Sequence, residues 1–230
     1  MVKLGAEHPS VLTHLPMDSF GSLEEFNANI VDLRMHADPK VVVFAIYDLT
    51  RLSPVDSSSQ QPASTSSYPP SSCFAGIFGY TRTYPENLVT EIGWAFIFPP
   101  FQRTHVAAHT MGMLLDYCLS SPTSSELALF KHTPESGERG LGLRRAAYCT
   151  STQNVASLRA AERMGFKHEG VRRWSFVLPS TRKDQEKVAP PRPGGPKEDS
   201  PGQDMVMMAV CWDDWENGGR EHARTVMERR

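Results

Sequence analysis

Glu91 and Ser157 are side chains whose types can give or take protons, Asn154 lies one helical turn from Ser157, and Gln102-Arg103-Thr104-His105-Val106-Ala107 is a polar turn suited to holding an anion. The turn follows an apolar strand closed by Pro99-Pro100 and opens a helix. N–H groups in a helix's first turn lack intrahelical partners and sit at the positive end of the macrodipole, so a phosphate is held there by main chain. An ordinary strand-to-helix turn is the competing reading. Glu91 begins the strand that leads to this turn, and its carboxylate can accept a proton. A solvated charge at a strand start is its alternative. Asn154 and Ser157 lie one turn apart on the same side of a second helix, where Asn154 is also a good N-cap and Ser157 is also readable as a plain surface hydroxyl.

These residues need elements to position them. Ser22-Leu-Glu-Glu25 is a capping box, and Leu23, Phe26, Ile30 and Leu33 recur at helical spacing, which predicts a helix to about His36 with its apolar stripe buried. Val41–Tyr47 is β-branched and nearly all apolar, the pattern of a strand covered on both faces and inside a sheet. Cys73–Thr83 and Leu88–Phe98 are two strands joined by the Tyr84-Pro-Glu-Asn87 turn, and Ala107, Met111, Leu114, Leu115 and Cys118 mark one face of the next helix. The strand Arg144–Cys149 precedes a helix from Asn154 to the stop at Gly165. Val171–Leu178 and Met205–Trp212 are further strands. The charged stretch 213–230, with Glu216 and Arg220 four apart, predicts a solvated terminal helix. Residues 53–72 and 179–203 are low-complexity insertions, the first expected to be disordered. Strands alternating with helices, plus one hairpin, give a mixed α/β sheet in a single domain spanning 1–230.

Composition narrows the function classes. The chain has 230 residues, 40% apolar, enough for a real core. With 24 basic and 26 acidic residues its net charge is −2, which implies no general pull toward nucleic acid or membrane. Cys73, Cys118, Cys149 and Cys211 form no C-x-x-C pair, and His8, His14, His36, His109, His132 and His222 show no ligand spacing, so no metal site is expected. No apolar run spans a bilayer and the first residues lack a signal-peptide core, so the expectation is a soluble cytoplasmic protein with free thiols.

In this order the segments resemble the GNAT acetyltransferases, in particular the RimJ/RimL-like branch of ribosomal-protein alanine N-acetyltransferases. The resemblance runs through Phe20-Gly-Ser-Leu-Glu-Glu-Phe26, Phe44-Ala-Ile-Tyr-Asp48, Glu91-Ile-Gly-Trp94, Gln102-Arg-Thr104, Gly142-Leu-Arg-Arg145, Asn154-x-x-Ser157, Ala161-Glu-Arg-Met-Gly-Phe166 and Glu169-Gly-Val-x-Arg173. It implies a GNAT fold, with a mixed, mostly antiparallel central sheet splayed in the middle and helices on both faces. The family's first strand and helix have too few residues here, which leaves one sheet edge bare and favours a homodimer.

The resemblance also implies an acetyl-CoA-dependent N-acetyltransferase using no metal, in which a primary amine, on a small molecule or a protein N-terminus, attacks the thioester directly in a ternary complex. Phe98, Gln102, Arg103, Thr104, His105, Val106, Ala107, Asn154 and Ser157 then surround the cofactor, with Asn154 on the pantetheine arm. Ser157 protonates the departing thiolate, and Glu91 is the base, with Glu169 as a weaker candidate. From the residues alone, Trp94 and Trp174 are candidates to border the acceptor, with plain packing as the competing reading. His105 stands where the wider family has glycine, so its Cβ is expected to crowd the phosphates, and a left-handed backbone there would cost about 1–2 kcal/mol. The other reading is a catalytically silent acyl-CoA-binding sensor or scaffold of the same fold.

Overall fold

The computed structural model describes residues 7–8, 12–18, 20–52, 69–122, 140–182 and 188–229. His132 and most of the first insertion lie outside them. The order is α1 (Leu23–Phe26, running on as the π-helical stretch Asn27–His36), β1 (Val42–Tyr47), β2 (Phe74–Tyr84), β3 (Val89–Ile97), α2 (His105–Leu119), β4 (Arg145–Ser151), α3 (Val155–Arg163), β5 (Lys167–Val177), β6 (Gly202–Cys211) and α4 (Arg220–Glu228). The six strands form one open sheet in the order β1-β2-β3-β4-β6-β5. Only β3 and β4 pair in parallel.

Local signals in the sequence account for most of the helix ends. Ser22 Oγ accepts the Glu25 N–H at 3.1 Å, while the Glu25 carboxylate accepts the Gly21 N–H at 2.8 Å. Past Phe26 the helix widens to i→i+5 bonding, seen where the Ala37 N–H meets the Asp32 carbonyl at 3.1 Å. That change of winding breaks the expected stripe. Phe26 and Ile30 are buried, but Leu33 is 67% exposed and Met35 packs instead on the core.

Val42–Tyr47 is not an interior strand as its composition suggests. It is the sheet's outer edge, pairing only with β2, with Val42 46% and Phe44 37% exposed. Among the described residues no strand covers its other side. The second insertion is folded where described. Ala189 and Gly202 exchange two main-chain bonds of 3.0 and 2.8 Å, and β6 starts at Gly202, three residues earlier than expected.

The terminal segment also departs from expectation. A kink at Asn217 and Gly218 separates the turn around Trp215 from α4; Trp215, Ala223 and Val226 are buried in the main core, and Met227 is buried against Gly112 of α2. Arg220 does not pair with Glu216. Its guanidinium lies 4.0 Å from the Asp116 carboxylate, donates to Ser120 Oγ at 3.5 Å and sits 5.8 Å from the Trp215 ring. An arginine can bury its aliphatic stem in this way, which a charge count overlooks.

Candidate active site

Two strands part company at the centre of the sheet. β3 and β4 stay in register from Val89–Arg145 to Ile92–Tyr148, and no pairing continues beyond. On the other side of β3 the register with β2 slips between Gly93 and Phe96, because Trp94 takes a left-handed backbone (φ 51°) in a bulge. A bulge that re-aims a strand next to a functional site is a recurrent device, and here it coincides with the gap. A cavity of about 260 Å³ opens at that gap, and its lining includes Glu91, Trp94, Ala95, Tyr148, Asn154 and Ser157.

At the far end of β3, Thr104 caps α2. Its hydroxyl accepts the Val106 N–H at 3.3 Å and donates to the Phe101 carbonyl at 2.6 Å, leaving the remaining first-turn N–H groups pointing out of the helix end. The strain expected at His105 does not arise, because His105 is the first helical residue. Arg103 takes the left-handed conformation instead (φ 59°). The His105 ring turns to the buried Asp48 carboxylate, 3.4 Å away, and packs edge-on against His109. Burial works against the Asp48 charge, but hydrogen bonds from Thr50 and the nearby His105 and Arg51 hold its carboxyl below the usual range. Gln102 donates its amide to the Ile97 carbonyl at 2.9 Å, which braces the turn. Phe98 is buried, its N–H given to the Ala75 carbonyl and its own carbonyl accepting from Phe101, so it packs beneath the turn.

The gap between parallel strands, with the cavity at it, and the first-turn N–H groups at the start of α2 have the chemistry to fit a nucleotide-linked thiol carrier: a helix end suits a pyrophosphate and a gap suits an extended arm.

Of the residues expected to do chemistry, Glu91, Asn154 and Ser157 are brought together and Glu169 is not. Glu169 makes a two-pronged pair with Arg145, at 2.6 and 2.5 Å, which holds its carboxyl below the ordinary value, and it does not line the cavity. Trp94 lines the cavity. Trp174 does not: it is 47% exposed, and its ring covers Gly202, whose missing Cβ would fall 2.2 Å from it. Asn154 is the N-cap of α3, its side-chain oxygen accepting the Ser157 N–H at 3.1 Å. That leaves the amide NH2 for another partner.

Several groups at the site escaped the sequence reading. Arg82, on β2, binds Glu91 at 2.5 Å. Burial opposes its charge, but the attraction and hydrogen bond of Glu91 outweigh that and keep it more firmly protonated than usual. Thr81 faces Glu91 across the hairpin, a register that alternation alone does not fix at a bulged strand. The buried Tyr148 phenol lies 2.7 Å from Ser157 Oγ, and burial raises its pKa although the Ser157 bond pulls the other way. Cys149 also lines the cavity. Burial first, then the charge of Glu91, push its thiol up to about 11 against the pull of Arg172 and Arg82. In addition, the strap Leu12–Asp18 crosses the site, held by Arg182, which donates to the carbonyls of Thr13, Leu12 and Met17 at 2.6, 3.0 and 2.9 Å.

All four cysteines are free. Cys211, Asp213 and Asp214 cluster closely, but Asp214 is paired with Lys167 and accepts the Cys211 N–H, the geometry of a helix cap. Among the described residues no helix is long and apolar enough to cross a membrane.

Residues 29–167, well over half of the chain, match the family model described as "Acetyltransferase (GNAT) domain". No curated protein matches significantly in sequence. Solved structures are similar in fold. A GCN5-related N-acetyltransferase from Brucella melitensis is 19% identical, with a TM-score of 0.64 over 99% of this chain and 76% of that one. Spermidine N-acetyltransferase from Vibrio cholerae, solved with CoA and spermine, is 14% identical (TM-score 0.52, 94% and 93% covered). An acetyl transferase from Salmonella typhimurium, which modifies the N-terminal serine of ribosomal protein L7/L12, is 15% identical (TM-score 0.53, 91% and 86% covered). Identities this low show the fold alone, so the RimJ/RimL-like branch is not distinguished from the wider family. The matched segment and the splayed sheet nonetheless carry one conclusion, that this chain belongs to the GNAT acetyltransferases, enzymes that transfer an acetyl group from acetyl-CoA.

Proposed function

We propose that the chain acetylates a primary amine by direct attack in a ternary complex, with Glu91 as the base and Ser157 as the proton donor to the departing sulfur. The observation that carries this reading is that Glu91, Ser157, Tyr148 and Asn154 line one cavity at the β3–β4 gap. Bound acetyl-CoA supplies the activated acyl carbon and the sulfur leaving group. The first-turn amides of α2 hold the pyrophosphate, and the Asn154 NH2 is available to the pantetheine arm. Trp94 and Ala95 offer main-chain N–H groups to the acyl oxygen where charge builds up. Glu91 takes the amine proton directly or through one water. Tyr148, kept protonated by its burial, donates to Ser157 Oγ and so frees the serine proton for the sulfur. The raised Cys149 thiol leaves little thiolate near neutral pH, which argues against a covalent acyl-cysteine route.

A sensor reading has one observation in its favour, the guanidinium already bound to Glu91. A thiol-release assay with acetyl-CoA and a panel of amines separates the two. Turnover with any acceptor, lowered by Asn154→Ala, supports the enzyme; tight CoA binding without turnover supports the sensor. Asn154→Ala also removes the cap of α3 and is expected to cost about 1 kcal/mol in denaturant unfolding.

Tyr148→Phe tests the hydroxyl pair. Loss of one buried hydrogen bond is expected to cost about 1 kcal/mol, and kcat is expected to drop about tenfold with little change in KM for acetyl-CoA. An unchanged kcat would remove Tyr148 and Ser157 from the proton path.

A further inference from the structure

Positive charge around the acceptor end of the cavity exceeds what acetyl transfer itself requires. Resting on the transferase reading above, we propose that the natural acceptor is a primary amine carrying its own anionic group, a carboxylate or phosphate, near enough for both to enter the cavity.

Glu91 is the sole carboxylate among the described lining residues, and Arg82 already binds it. Arg34 lines the same space from α1, and among the described residues its side chain has no ion-pair or hydrogen-bond partner. The i→i+5 winding of that segment takes the turn carrying Arg34 out of ordinary helical register. Arg172 stands at the margin, its guanidinium 3.8 Å from the sulfur of Cys149, which itself lines the cavity. His14 adds no charge near neutral pH, because burial and then Arg182 lower its pKa. Two arginines, Arg34 and Arg82, thus line the cavity with its one described carboxylate, which is already paired, and the Arg172 guanidinium stands at the margin beside Cys149.

This arrangement selects by charge. A polyamine brings additional ammonium groups that need carboxylates of their own, and like charges brought close in a partly desolvated cavity repel. An anion on the acceptor meets the planar fork of Arg34, which suits carboxylate and phosphate oxygens. The same excess of positive charge disfavours the ammonium form of the incoming amine. The neutral amine is the form that attacks, so the cavity lightens the task of a base already bonded to Arg82. A cavity of about 260 Å³ walled partly by Trp94, Phe176 and Met205 admits a compact acceptor with an apolar body.

The test uses the full chain and matched acceptors: an apolar amino acid against its amide, phosphoethanolamine against ethanolamine, a short peptide with an acidic second residue against its neutral counterpart, and spermidine. Turnover is read by thiol release. Binding of each acceptor to the CoA-loaded chain is read by calorimetry, so that the preference is measured whether or not the chain turns over. At least one anionic acceptor is expected to exceed its neutral match by tenfold or more in kcat/KM and in affinity, with spermidine weaker than either. The amino-acid, phosphate and peptide arms identify the source of the anion. In Arg34→Gln that ratio is expected to collapse by at least tenfold, and Arg34→Lys to restore part of it. Equal use of charged and neutral partners, a preference for spermidine, or an equal loss for both members of each pair in Arg34→Gln overturns the proposal while leaving acetyl transfer intact. Absence of turnover with every amine counts instead against the transferase reading, and the calorimetric ratio then decides the charge preference alone.

Discussion

Glu91→Gln is expected to lower kcat/KM by about 10²- to 10⁴-fold, the range associated with loss of a general base, while acetyl-CoA binding stays within about twofold of the original. The carboxylate is buried and faces the cavity, and the cofactor contacts proposed at α2 and Asn154 do not involve it. Its removal also leaves Arg82 without its partner. Arg82 keeps 39% of its side chain exposed, so solvent takes up much of that charge and the stability loss is expected to be small, about 1 kcal/mol. Measuring kcat/KM and unfolding on the same variant separates the two effects. An activity loss below about threefold would remove Glu91 from the role of base and leave the Arg82 pair as a brace of the hairpin.

The second large effect lies far from the chemistry. Trp215→Ala is expected to destabilise the fold by about 3–5 kcal/mol, the range for emptying a buried large aromatic site, with a fall in Tm on the order of 10 °C. Trp215 is 1% exposed, and its indole N–H lies 3.3 Å from Ser120 Oγ, which donates to Asp116 at 2.7 Å. Arg220 donates to the same hydroxyl, so truncating the ring also loosens a buried polar network. A Tm change under about 2 °C would show that the terminal segment contributes little to the core.

The limits of sequence reading show in these two residues. Helix starts were legible because their signals are local: Ser22 and Asn154 each cap within three residues, and Gly165 closes its helix with a positive φ. The succession of strands and helices along the chain and the turn before α2 were legible for the same reason. What a side chain meets across the sheet was not. The partner of Glu91 is set by a bulged register, and the hydroxyl of Ser157 is met from a neighbouring strand. The strap over the cavity is fixed by Arg182, 165 to 170 residues further along. Trp215 was hidden differently. The kink at Asn217 and Gly218 interrupts the apolar period linking it to Ala223 and Val226, so charge dominated the reading.

His109, one turn into α2, bonds the Met227 carbonyl at 2.7 Å, and Gly112 lacks a Cβ where the Met227 sulfur packs. The helix whose first-turn amides are proposed to hold the coenzyme phosphates is thus buttressed by α4. Loosening that buttress, as Met227→Ala would, is expected to register first as weaker coenzyme binding in calorimetry, while the β3–β4 gap itself stays intact.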